Sequence, residues 1–165
     1  DGIEEGISDF IDVITIFAQN LLGTGITEGN YKLKCYGLSR NNDNAFLYWD
    51  GTNNSKLTTN STGTVFTLQH KIVGGYYLLN GNSKVAGNAK KPNLGYPNSR
   101  INNDVRMTID WTFDEDTWYL YPKTIRGRTF YILQNYNSKC YLKGQSTCVT
   151  GGSCIVKQQP NQSSC

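Results

Sequence analysis

The feature that most constrains this chain is a stretch that occurs twice. Phe66-Thr67-Leu68-Gln69-His70-Lys71 leads into Gly75-Tyr76-Tyr77-Leu78-Leu79 and then Asn82-Ser83-Lys84. Trp118-Tyr119-Leu120-Tyr121-Pro122-Lys123 leads in the same order into Gly127, Phe130-Tyr131-Ile132-Leu133 and Asn137-Ser138-Lys139. Phe66, Leu68, Lys71 and Gly75 recur 52 residues on, Tyr77 and Leu79 after 54, and the Asn-Ser-Lys triplet after 55. A weaker copy begins at Tyr31-Lys32-Leu33, 46 residues before Tyr77-Leu78-Leu79, with Gly29 just ahead of it. One such unit cannot bury its apolar face alone, so about three must stack around a shared core.

Within each unit, short apolar-alternating runs lie between residues that accept positive φ, such as Asp50-Gly51 and Asn80-Gly81. The runs near 31–36, 45–49, 65–70, 76–79, 106–111, 117–121, 129–134, 140–143 and 154–158 read as strands. Eleven Tyr, six Phe and three Trp supply enough burial for a folded domain in spite of a charged content of only 18%. Many short strands of this kind predict an all-β barrel or sandwich.

Residues 1–25 stand apart. Ile7, Phe10, Ile11, Ile14, Phe17, Ala18 and Leu21 recur at helical spacing, with Ser8 as a cap and Gly23 as a stop. The segment is expected to be a short helix packed on a single domain spanning 26–165. A partner-binding helix, a plug for a hydrophobic crevice, or a strand through Val13-Ile14-Thr15-Ile16 are the alternatives. Its polar positions Glu4, Glu5, Asp9 and Asp12 are acidic, which disfavours an anionic membrane surface.

The repeat resembles that of the β-trefoil fold, and in particular of ricin-B-like lectin domains. Their repeats run from an aromatic-x-aliphatic strand through a Gly turn into a hairpin with Tyr, an aliphatic residue and Asn. Trp118 to Leu142 carries that pattern, and Phe66 to Val85 carries it more loosely. The Q-x-W signature of those lectins is absent, since Gln precedes neither Trp111 nor Trp118 by two. The resemblance implies three pseudo-repeats of four strands over 26–165, and carbohydrate binding. In general character the chain is also similar to the cysteine- and tryptophan-rich trefoil proteins of mosquito saliva.

Composition and side-chain inventory exclude much else. The net charge of +3 is modest, and Lys84, Lys90, Lys91, Arg100 and Arg106 are spread over a loop-rich stretch instead of forming a stripe, so no nucleic-acid partner is expected. No apolar run reaches membrane-spanning length, so no membrane insertion is expected. Cys35, Cys140, Cys148, Cys154 and Cys165 include no C-x-x-C pair, which favours disulfides over a metal site and leaves one thiol over. Sequons at Asn53, Asn60 and Asn161 agree with a secreted, extracellular glycoprotein, and the chain is expected to begin after removal of a signal peptide.

Catalysis finds little footing, and no enzyme, cofactor or metal is expected. His70 is the sole histidine and its counterpart is Pro122, which does not suit a triad base. Asp114-Glu115-Asp116 reads as a solvated turn, because adjacent carboxylates do not flank a bond from opposite sides. Recognition of a sugar needs a stacking ring with Asp or Asn beside it. Three groups combine these: Trp49 and Asp50 with Asn53 and Asn54; Asp110 with Trp111; and the hairpin residues Asn80, Asn82, Asn135, Tyr136 and Asn137. The expected function is therefore a secreted, lectin-like protein that binds glycans or glycoproteins. The alternative is an inhibitor or ligand of a host extracellular protein, acting through the loop from Lys90 to Arg100 with its Pro92 and Pro97.

Overall fold

The computed structural model describes residues 26–34, 45–72, 74–87, 103–109, 114–144 and 156–159. All regular structure among them is β-strand. The segment 1–25, the loop 90–100 and Cys35, Cys148, Cys154, Cys165 and Asn161 lie outside the described residues.

The two matching stretches both fold as antiparallel hairpins. In the first, β4 (Phe66–His70) and β5 (Tyr76–Asn80) pair with Leu68 opposite Leu78. In the second, β8 (Trp118–Ile125) and β9 (Arg128–Asn135) pair with Leu120 opposite Leu133. Aromatic and aliphatic residues alternate along these strands, so every second side chain enters the core. Phe66, Leu68, Trp118 and Leu120 are all buried in one cluster with Tyr76 and Leu78. Each such side chain contributes roughly 1.5–3 kcal/mol by leaving water. The fully buried Trp118 also donates its indole N–H to the Val85 carbonyl at 2.8 Å, so its polar atom is satisfied.

The register corrects the alignment of the copies. Because Leu68 faces Leu78 and Leu120 faces Leu133, the true counterparts are Tyr76 and Tyr131, then Leu78 and Leu133, a constant 55 residues apart. Matching Tyr77 and Leu79 instead is a slip of one residue, which moves a strand's side chains to the opposite face. Tyr31 and Leu33 follow the corrected pattern, and they pack against the same core as Tyr131 and Leu133. Three Tyr-x-Leu segments thus face one interior. Tyr31 lies opposite Phe66 in β4, from β1 (Gly29–Tyr31), just as Tyr76 lies opposite Trp118 in β8.

The remaining strands are β2 (Phe46–Tyr48), β3 (Thr58–Asn60), β6 (Ser83–Gly87), β7 (Asn103–Thr108), β10 (Tyr141–Gly144) and β11 (Val156–Gln159). Antiparallel pairing runs from β5 through β6, β7, β11, β10 and β9 to β8, and returns to β5 at Tyr76 and Trp118. These seven strands close a ring, which leaves no open edge between them. Strand β4 pairs with β5 outside the ring and β1 pairs in turn with β4, while β2 with β3 forms a separate ribbon. Strands β3 and β6 fall outside the sequence expectation. Thr58-Thr59-Asn60 carries no apolar alternation, and Ser83-Lys84 reads as the turn that it leaves.

Asp114-Glu115-Asp116 departs from the solvated turn that was expected. Glu115 and Asp116 are buried, and the turn serves as a junction. Lys71 reaches the Asp114 carboxylate at 3.5 Å and the Thr117 hydroxyl at 2.8 Å, while Lys84 reaches Asp116 at 3.4 Å. The Glu115 carbonyl accepts from the Gly87 backbone at 3.0 Å and from the Asn135 amide at 2.8 Å. Backbone packing around the first matching hairpin, β6 and the second is thereby tied at one point.

Candidate ligand-binding surface

The loop that follows β2 uses most of its polar atoms on itself. Trp49 packs against the core and donates its indole N–H to the Thr52 carbonyl at 2.8 Å. Asp50 accepts from the Thr52 backbone at 2.8 Å and from the Ser55 hydroxyl at 2.9 Å. Those bonds, the backbone one first, hold its carboxyl below the usual carboxylate value. Asn54 has a left-handed backbone (φ 63°), donates its N–H to Met107 at 2.7 Å and receives Arg106 on its carbonyl at 2.9 Å. Trp49 is thus part of the framework, and the Asn53 and Asn54 side chains stand exposed on a fastened loop. Asp110 and Trp111 lie outside the described residues.

The two Asn-rich hairpin tips differ in an instructive way. In the first copy Asn80 pairs with Ser83, so only Gly81 and Asn82 form the turn, and Gly81 has φ 60°. Asn80 donates its amide to the Val65 carbonyl at 3.0 Å, and Asn82 is exposed. In the second copy, Tyr136 stands where Gly81 stands. A side chain there makes the positive φ costly, and the turn widens. The Asn135 N–H now bonds the Cys140 carbonyl at 2.8 Å and the Lys139 N–H bonds the Asn135 carbonyl at 2.9 Å. The left-handed residue becomes Lys139, with φ 60°.

Asn135 builds this wider turn. It is fully buried, and its Oδ1 accepts from the backbones of Asn137 at 3.0 Å and Ser138 at 3.2 Å. Asn137 is buried as well. Neither presents its side chain at the surface. Cys140 sits buried at the end of the turn, in the place that Val85 fills in the first copy.

Tyr136 is different, being 38% exposed. Its ring meets the Tyr119 ring edge-on, with centroids 5.5 Å apart. Lys139 folds back over it, donating to the Tyr136 carbonyl at 2.6 Å with its ammonium 4.4 Å from the Tyr136 ring and 5.1 Å from that of Tyr119. Burial lowers the Lys139 pKa from its ordinary value. Burial first, and the neighbouring Tyr136 second, push the Tyr119 hydroxyl up to about 12. The result is a partly exposed Tyr136 ring with the buried Tyr119 ring set edge-on to it and a partly desolvated ammonium beside both.

Sequence reasoning singled out Tyr136 but missed Tyr119 and Lys139. The usable clue was the mismatch between copies, Tyr136 against Gly81. His70 is half-buried on β4, its ring tilted against Tyr76 at 5.0 Å. A separate cavity of about 290 Å³ opens among the repeated core residues, including Tyr31, Leu33, Leu78, Tyr131 and Leu133. Its shape follows from the Tyr-x-Leu repeat.

No known family model and no curated protein matches this chain.

Proposed function

We propose that this chain is a secreted, lectin-like protein that binds carbohydrate and performs no catalysis, and that Tyr136 is its stacking platform. The observation that carries the reading is the contrast between the copies. Residues that the fold needs are the same in both: Asn80 and Asn135, and Ser83 and Ser138. At one position of the hairpin tip, the first copy has a glycine, Gly81, while the second holds the exposed aromatic ring of Tyr136. The fold's own requirements do not explain that ring. A pyranose presents an apolar face to such a ring and hydroxyls to the polar groups beside it.

The trefoil arrangement belongs to the same proposal. Three Tyr-x-Leu segments on one core support it, as do the equivalent pairings of Tyr31 with Phe66 and of Tyr76 with Trp118. The exposed Asn53 of the Asn53-Asn54-Ser55 sequon supports the extracellular location.

A glycan array probed with the wild-type chain and with Tyr136→Ala tests the function. Binding to a defined set of glycans, lost at least about tenfold in the variant, is expected from removal of a stacking ring. Absence of any glycan binding by the folded wild-type chain would refute it.

A further inference from the structure

We infer that the Tyr136 site takes an anionic sugar, one whose ring bears a carboxylate or a sulfate, with Lys139 as the residue that pairs with the charge. The inference rests on the glycan reading and deepens it.

The internal repeat again supplies the comparison. Lys84 and Lys139 close the same Asn-Ser-Lys triplet, and each places its ammonium over a tyrosine ring, 4.2 Å from Tyr77 and 4.4 Å from Tyr136. Lys84 has a counter-ion, the Asp116 carboxylate at 3.4 Å. Lys139 has none among the described residues, where its polar contact is the Tyr136 carbonyl at 2.6 Å. A partly buried ammonium without a counter-ion pays a desolvation penalty that an arriving anion relieves.

The backbone points the same way. Lys139 holds a left-handed conformation at φ 60°, and Lys84 sits in the regular strand β6. A non-glycine residue in that region costs about 1–2 kcal/mol and persists where the surroundings impose it. Here it turns the side chain back over the exposed ring. A sugar stacked on the open part of Tyr136 brings a ring substituent to the ammonium, which still has N–H groups to donate. A charge-assisted bond of this kind is stronger than one between neutral groups.

Titration calorimetry on the intact chain, with four probes, separates the possibilities. The probes are a uronate disaccharide, sialyllactose, a sulfated galactose disaccharide, and neutral lactose. At least one anionic probe is expected to bind about tenfold or more tightly than lactose. Lys139→Gln should bring that probe down to the level of lactose, Lys139→Arg should keep most of the preference, and Lys84→Gln should leave it in place. Thermal melts of each variant confirm that it is folded. Which of the three anionic probes binds tells carboxylate from sulfate. Equal binding of lactose and the anionic probes, lost in Tyr136→Ala, would overturn the charge inference and leave the glycan reading standing. An anionic preference untouched by Lys139→Gln would also overturn it. No binding of any probe, together with a blank glycan array, would overturn both.

Discussion

Gly75 and Gly127 occupy the same place in the two copies, yet replacing them with alanine should have unequal consequences. Both have left-handed backbones, φ 83° and φ 78°. Such a conformation costs an L residue about 1–2 kcal/mol, partly offset by about 0.4–1 kcal/mol through the stiffer unfolded chain. At Gly127 a new Cβ meets nothing within 4 Å, so Gly127→Ala should cost about 1 kcal/mol. At Gly75 the same Cβ lies 2.7 Å from Thr117 Cγ2 and 3.2 Å from the Trp118 carbonyl oxygen. Those atoms stand at the entry to β8, the strand that closes the ring, so overpacking adds about 1–3 kcal/mol and brings Gly75→Ala to about 2–4 kcal/mol. For a chain of this size that corresponds to a melting-point loss of roughly 5–15 °C. Urea unfolding followed by circular dichroism measures both variants. Equal losses in the two would show that β5 and β8 do not meet at Tyr76 and Trp118, and the closed ring would fall with that contact.

Other outcomes follow from the same geometry. Leu78→Ala should cost about 2–5 kcal/mol, and Leu79→Ala distinctly less, because only Leu78 is fully buried; the reverse order would refute the corrected register. Trp118→Phe should cost about 1–3 kcal/mol by leaving the buried Val85 carbonyl without its indole donor, read from the same unfolding curves. The Asp50 carboxyl, followed by NMR, should titrate below 3.8, and Ser55→Ala should move it back upward. A depressed carboxylate contributes stability above its unfolded pKa, here 3.8, and loses it as pH falls from there through the folded one. Tyr119 should ionise at about 12 against an ordinary value of 10.0 in ultraviolet titration. Its raised pKa contributes stability that is complete below pH 10 and is lost as pH climbs toward 12; a Tyr119 that ionises with the exposed tyrosines would contradict its burial.

The strand content was legible because aromatic and aliphatic residues alternate so plainly in Phe66–His70 and Trp118–Tyr121. The repeat was legible for the same reason. Its register was not, because Tyr76-Tyr77-Leu78-Leu79 presents two tyrosines and two leucines in a row and sequence alone gives both faces equal claim. Only the pairing of Leu68 with Leu78 decides which pair faces inward. Strand β3 was hidden because Thr58-Thr59-Asn60 is wholly polar, and β6 because it starts in the turn's own Ser83-Lys84 and holds only Val85 and Ala86 as an apolar pair; pairing with β2 and with β7 defines them. For the site, proximity of Asn and aromatic residues along the chain was a poor guide. Asn135 and Asn137 are consumed by the turn, and Trp49 by the core, while Lys139 joins Tyr136 only because the turn widens. Tyr119 comes from another strand, which no local pattern reveals.

The central claim is that one hairpin tip carries the ligand and its twin does not. Amide chemical-shift mapping, with the tightest-binding glycan titrated into labelled protein, tests it directly. The shifts should cluster at 117–119 and 135–140 and leave 80–83 unmoved. Shifts centred on Trp49 to Asn54, or spread equally over both tips, would contradict it.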